Sequence, residues 1–266
     1  MKNILAEIYQ HKLAEVRNRK KKISVQDICN KTKCQDLVIK DFFAALKKKD
    51  DAVEIGLICE IKKASPSHGI IRQDFDHVQI AKDYIEAGAT CLSILTDEKY
   101  FMGKDQYLTD VAKFSGVPIL RKDFMVDTYQ IYEAKMLGAS CILLIVAMLD
   151  DEKLRELEQC ALDIGLSVLI EVHNAEELQR ASKLKSKLIG INNRDLKTLK
   201  VNIETSILLC EQVPQDYVLV SESGITDVLD ISLLQQAGIN CFLIGEHFMR
   251  QKNIVDAVQK IFNANK

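Results

Sequence analysis

The feature that most constrains the fold of this chain is an eightfold march. From residue 57 onward, short apolar runs rich in β-branched side chains alternate with longer stretches of helical period. The runs are Leu57 to Ile61, Cys91 to Leu95, Pro118 to Arg121, Cys141 to Val146, Ser167 to Glu171, Leu188 to Asn192, Tyr217 to Ser221 and Cys241 to Gly245. Each is near-continuously apolar, which predicts strands covered on both faces, as in a parallel sheet. Between them, Val78 to Ala87, Asp127 to Leu137, Asp151 to Asp163 and Asp227 to Ala237 repeat apolar residues at three- and four-residue steps and predict amphipathic helices. Gly88, Gly138, Gly165 and Gly238 follow such segments, where a left-handed C-cap is expected. Eight βα units are the number that closes a (β/α)8, or TIM, barrel; a doubly wound open sheet is the competing arrangement.

At 266 residues the chain is long for an ordinary domain, but α/β barrels run to this length without splitting. The expectation is one domain over residues 1–266, of which 1–50 form a helical extension packed on one end of the barrel. In that extension Ile4, Leu5, Ile8, Leu13 and Val16 share a helical face, and Asp41 to Lys49 carries Phe42, Phe43 and Leu46. The basic run Arg17, Arg19, Lys20, Lys21 and Lys22 reads as a solvated face, because no aromatics interleave it and the formal net charge is -2. With that charge no global field draws the chain to nucleic acid or anionic lipid, and no apolar run spans a bilayer, so neither nucleic acid nor membrane is expected as a partner. The eight cysteines, Cys29, Cys34, Cys59, Cys91, Cys141, Cys160, Cys210 and Cys241, include no C-x-x-C pair and no histidines at zinc spacing. Cys59, Cys91, Cys141 and Cys241 fall inside predicted strands, where a reduced thiol acts as a small hydrophobe, so a cytoplasmic chain is expected.

In such a barrel the C-terminal strand ends carry the chemistry. Side chains alternate along a strand, so Glu60 and Lys62 share one face and Cys59 takes the other. The third run ends Arg121, Lys122, Asp123 and Phe124, the fifth Glu171, Val172 and His173, and the sixth Asn192, Asn193, Arg194 and Asp195. A single charge at a strand end is ordinary surface pairing. Glutamates and lysines from several strands converging on one mouth are instead an acid–base set whose pKa values neighbours push apart. The seventh and eighth runs end in Ser221-Glu222-Ser223-Gly224-Ile225 and Ile244-Gly245-Glu246, the place where such barrels hold phosphate on backbone N–H groups.

Six segments then resemble one family. They are Glu60-Ile-Lys62-Lys-Ala-Ser65-Pro66-Ser67, Ile94 to Phe101, Leu120-Arg-Lys122-Asp-Phe124, Glu171-Val-His173, Gly190-Ile-Asn192-Asn-Arg194-Asp-Leu196 and Ser221-Glu222-Ser223-Gly224-Ile225. In this order they resemble the signature segments of the indole-3-glycerol-phosphate synthases. The resemblance implies a metal-free, cofactor-free lyase of tryptophan biosynthesis. Such an enzyme closes, decarboxylates and dehydrates 1-(2-carboxyphenylamino)-1-deoxyribulose 5-phosphate; no protein partner is implied. It casts Lys122 as general acid for ring closure, with Lys62, Glu171 and Glu60 as the second acid–base set and Asn192 orienting the reacting groups. Ser65 and Arg194 would hold the substrate carboxylate, Phe101 and Phe124 would wall its ring, and Glu222 and Ser223 would touch substrate. Lys62, Ser223, Gly224, Gly245 and Glu246 would hold the phosphate, Glu246 through its backbone N–H. The chain departs from the family pattern at His68, Met102, Lys104 and His247, all expected beside the site, and His173 is expected to be structural. The rivals are another phosphate-binding barrel, such as phosphoribosylanthranilate isomerase with a cysteine base on its first strand, and a catalytically silent barrel.

Overall fold

The computed structural model describes residues 4–33, 39–196 and 198–262, so Cys34 lies outside the described residues. The apolar runs form eight strands: β1 (Gly56–Ile61), β2 (Cys91–Leu95), β3 (Ile119–Lys122), β4 (Cys141–Ile145), β5 (Ser167–Val172), β6 (Leu188–Asn192), β7 (Val218–Glu222) and β8 (Cys241–Ile244). They pair in parallel in the order β1-β8-β7-β6-β5-β4-β3-β2 and close on β1. The sheet is a closed (β/α)8 barrel, not an open one. Pro118, expected inside the third strand, stands just before it, since proline brings no N–H to a ladder. Its carbonyl still accepts from the Leu92 N–H at 2.9 Å.

Strand-to-helix turns end in carboxylates or amides that accept the first free helix N–H groups. Asp76, Asp127, Asp150, Asn174 and Asp227 all cap in this way, and Asp127 forms a reciprocal box with Gln130. Gly88, Gly138, Gly165 and Gly238 take positive φ at the helix ends, as expected.

Strand alternation sorts the core into two layers. Ile58, Leu120, Leu143, Leu169, Val220 and Leu243 fill the barrel. Leu57, Cys59, Ile94, Ile170, Ile191 and Phe242 face the helices. Every strand therefore buries both faces, which is why the sequence shows apolar runs rather than alternation.

The N-terminal extension consists of α1 (Ile4–Lys22), α2 (Val25–Lys33) and α3 (Phe42–Asp51). It does not sit on one end, as expected, but reaches both. On α3, Phe42 and Leu46 are fully buried and close the N-terminal end of the barrel against Ile58, Cys91 and Leu120. At the opposite mouth, Leu5 of α1 lines a cavity, and Lys12 is fully buried with its ammonium 2.9 Å from Asp97 and 2.8 Å from Asp123. Ile28 of α2 packs on the flank against Val126 and Tyr129. Nor is the basic run wholly solvated. Arg19 pairs with Asp105 and, at 2.8 Å, with Glu133, and Lys20 pairs with Asp127 at 2.7 Å. After β1 a short hairpin, Ala64–Ser65 with Gly69–Ile70, stands beside the mouth. No described helix is long and apolar enough to cross a membrane.

Candidate active site

A cavity of about 680 Å³ opens at the C-terminal mouth, within the size range of small-molecule sites. Glu60, Lys62, Phe101, Lys122, Phe124, Glu171, Asn192, Arg194, Glu222, Ser223, Gly224, Gly245 and Glu246 all line it. Of the expected site residues only Ser65 does not; it is buried in the hairpin, 3.3 Å from the Ser67 hydroxyl. Cys59 lies in the helix-facing layer, where burial pushes its thiol pKa up. A cysteine base on the first strand is thereby excluded, and with it the isomerase reading.

The charges fall into two groups. In the first, the Lys62 ammonium lies 2.5 Å from Glu60 Oε2. In the second, Lys122 Nζ donates to Glu171 Oε2 at 3.0 Å and to Glu222 Oε2 at 2.7 Å. The sequence reading groups Glu171 with Lys62 and gives Glu222 only substrate contact; across the barrel both carboxylates instead belong to Lys122. Two glycines allow this close packing. A Cβ at Gly190 would collide with Oε1 of Glu222, and one at Gly245 with Oε2 of Glu60. Asn192 Nδ2 donates to Glu171 Oε1 at 3.2 Å, and Asn192 Oδ1 accepts from the Arg194 N–H at 3.0 Å.

Burial and charge then separate the titrations. For Lys122, burial opposes the ammonium, but Glu171 and Glu222 outweigh it and hold its pKa above the ordinary lysine value. Burial disfavours the Glu171 carboxylate, yet Lys122 and His173 together pull its pKa below the usual range. Glu222 goes the other way: burial, with the repulsion of Glu171 and Glu60, lifts it to about 7 despite Lys122. One mouth thus favours the charged form of Lys122 and of Glu171 while it favours the protonated form of Glu222.

On the far side, Ser223 and Gly224 both take positive φ in the turn after β7, and Gly245 precedes a short helical turn, Glu246–Met249. The Glu246 carboxylate is drawn aside by Arg250 and Arg194, with the His68 ring beside it. Arg250 donates to it at 2.8 Å, His68 Nδ1 stands 3.3 Å away and Arg194 Nη2 3.8 Å away. His68 and His247, expected beside the site, line the cavity itself. The sequence reading also misses Leu5, Thr226 and Arg250 in this wall. Thr226 and Arg250 follow the two phosphate-type turns closely enough to be included on that ground; Leu5 gives no signal beyond its apolar helix face. The Phe101 and Phe124 rings lie 6.1 Å apart at 42°, forming an aromatic corner. Among the described residues no group of three or more His, Cys, Asp or Glu is arranged to hold a metal ion.

The fold alone is shared with solved barrels of low sequence identity. 3-Hexulose-6-phosphate synthase aligns with TM-score 0.64 at 14% identity, over 79% of this chain and 99% of its own. KGPDC from Streptococcus mutans aligns with TM-score 0.60 at 10% identity, over 79% of this chain and 97% of its own. Sequence likeness is far stronger elsewhere. The indole-3-glycerol phosphate synthase from Zymomonas mobilis subsp. pomaceae is 46% identical, covering 100% of both chains. That from Legionella pneumophila strain Paris is 48% identical, over 98% of this chain and 99% of its own. The family model described as indole-3-glycerol phosphate synthase matches residues 5–261, and the chain belongs to that family.

Proposed function

We propose that the mouth cavity takes 1-(2-carboxyphenylamino)-1-deoxyribulose 5-phosphate and releases indole-3-glycerol phosphate, carbon dioxide and water. Family membership makes the chain a decarboxylating lyase of tryptophan biosynthesis. The seven cysteines among the described residues are all free thiols, which supports a cytoplasmic setting.

The roles follow from what each group can do. The ring carbon bearing the carboxylate attacks the sugar ketone, and the carbonyl electron pair moves to oxygen, which takes a proton from Lys122. The bond to the carboxylate then breaks, carbon dioxide leaves, and its electron pair restores the ring. Lys122 is a strong candidate because it is held charged, and a substrate carbonyl that displaces one of its carboxylate partners makes it a better acid. In the second stage the new hydroxyl leaves as water with a proton from Lys62. Glu171 or Glu60 takes the proton from the neighbouring carbon, forming the indole double bond. Asn192 orients Glu171. Phe101 and Phe124 wall the aromatic ring, Arg194 takes its carboxylate, and Ser65 acts only through the hairpin. Ser223, Gly224, Gly245, the Glu246 N–H and Lys62 take the phosphate. Helix-turn amides and lysine suit that charge.

The observation that carries this reading is the Lys122 ammonium, set between Glu171 and Glu222 and facing the same cavity as the Ser223-Gly224 and Gly245-Glu246 turns. Purified protein incubated with the anilino-deoxyribulose phosphate should develop indole fluorescence with no added metal or organic cofactor. Lys122→Ala should lower turnover by at least about a hundredfold. Turnover near the native rate in that variant removes Lys122 from its assigned step.

A further inference from the structure

Behind Glu171 lies a second line of charge that the reaction scheme does not use. His173 stands just past the end of β5, two residues after Glu171, and its ring lies against the Glu171 carboxylate. Its side chain is only 10% exposed, with Nε2 standing 3.3 Å from Glu171 Oε1 and Nδ1 2.9 Å from Glu177 Oε2. Glu177 is itself fixed. Its Oε2 accepts from the His173 backbone N–H at 2.8 Å, and its Oε1 accepts from Asn174 Nδ2 at 2.7 Å. Nδ1 is held by Glu177 and Nε2 approaches Glu171 without hydrogen-bond geometry, so both ring nitrogens face carboxylates, an environment that favours the imidazolium. Burial works against that cation, but Glu171 and Glu177 outweigh it and raise its pKa to about 10.

The other charged groups near this ring are spent elsewhere or lie across open space. Arg180, on the same helix as Glu177, pairs with Asp151 at 2.7 Å and donates to the carbonyls of Val146 and Leu149. Glu176, Asp195 and Lys200 line the adjoining cavity into which the His173 wall faces. Glu222, by contrast, has no such cation behind it among the described residues; its second oxygen lies against Gly190. The two carboxylates that flank Lys122 are therefore built unequal.

We propose that His173 is a positioning residue: set between Glu171 and Glu177, it keeps Glu171 ionised beside Lys122 in the resting enzyme and leaves Glu222 to carry the exchangeable proton of the mouth. The chemical reason is electrostatic. An opposite charge within about 4 to 6 Å favours a carboxylate by about one to three pH units. Without the imidazolium, Glu171 and Glu222 would compete for one proton, and the fraction of enzyme with the productive arrangement would fall. The inference builds on the roles proposed for Lys122 and Glu171, but its test needs no substrate.

The test is a carbon-13 titration of the free, full-length enzyme labelled at glutamate side-chain carboxyls, with resonances assigned by their loss in Glu222→Gln and Glu171→Gln. In native protein the Glu222 resonance should titrate in the neutral range, while that of Glu171 stays in its ionised position throughout. In His173→Asn the Glu171 midpoint should rise by about one pH unit or more. The acid limb of kcat/KM should move to higher pH with it. Glu177→Gln keeps the imidazole but removes the carboxylate that secures its second proton, so it should shift both readouts the same way by less. It also decides the matter should His173→Asn fail to fold. Unchanged Glu171 titration in the variants that fold, or a native Glu171 that titrates in the neutral range, overturns the proposal; a failed turnover assay alone does not touch it.

Discussion

Glu222 shows how much the absence of one side-chain carbon can matter. Its carboxyl reaches Lys122 only because Gly190, on the neighbouring strand, has no Cβ in the way. Gly190→Ala should therefore leave the barrel folded, since the obstructing atoms are the far end of a side chain, while pushing the carboxyl off the ammonium. A displacement of about 1 Å at a reacting group can cost on the order of a hundredfold, and turnover should fall by up to that factor with the far-ultraviolet dichroism unchanged. Native turnover in Gly190→Ala would show that the Lys122–Glu222 contact is idle. At this scale the sequence is legible through parity alone. Alternation along β1 sets Glu60 and Lys62 on one face and Cys59 on the other, and the structure has the first two lining the cavity and Cys59 in the helix-facing layer. Parity says nothing about which charges touch, because Lys122 and Glu222 are 100 residues apart and meet only when the barrel closes. For the same reason His68 and His247 read as neighbours of the site when they line it.

The helices of the extension do different work, and substitutions should separate them. Lys12 of α1 bridges Asp97 and Asp123, and Asp123 stands next to Lys122 while also accepting from the Phe124 N–H at 2.8 Å and from Thr96 Oγ1 at 2.6 Å. Removing that ammonium leaves Asp97 buried without its cation and Asp123 with only the Arg121 guanidinium 3.7 Å away, a loss of up to about 3 to 5 kcal/mol for a broken buried pair. Lys12→Met should thus lower both stability and turnover, since the turn that aims Lys122 and Phe124 loses its anchor. Phe42→Ala on α3 should cost a similar amount, about 3 to 5 kcal/mol, through a cavity at the other end of the barrel. Its kcat, measured below its melting range, should stay near native. Urea melts read beside initial rates make the comparison; equal losses of kcat in the two variants would refute the division. The clue to Lys12 is present in the sequence. Ile8, Lys12 and Val16 follow one another at four-residue steps on a single helix face, so a lysine stands in the middle of an apolar stripe. What the stripe cannot reveal is its partners, which come from loops after β2 and β3, and so the sequence alone assigns the extension to one end.

Closure of the barrel brings buried charges of both signs together, and the pH dependence of stability follows from the directions in which their titrations move. Asp123 is buried, but Lys12 and Arg121 outweigh burial and lower its pKa from 3.8 to about 2. Its contribution is therefore full above the unfolded value and is lost as pH falls from about 4 through 2. Glu171, also lowered, acts in the same direction. His173 is raised from 6.5 to about 10, so what it contributes is full below 6.5 and is lost as pH rises through 10. Glu222, raised to about 7, runs against the acid pair: the stability tied to its bound proton is lost between its unfolded value and 7. The native protein should accordingly weaken at both extremes. The alkaline decline between pH 6.5 and 10 should be flattened specifically by His173→Asn, while the part of the acid decline that comes from Asp123 should persist in that variant because Lys12 and Arg121, not His173, lower its pKa. Urea midpoints collected across the pH range for the two proteins read this directly. An alkaline slope that survives the loss of the imidazole would place its source in some other group and leave His173 electrically neutral in the folded state.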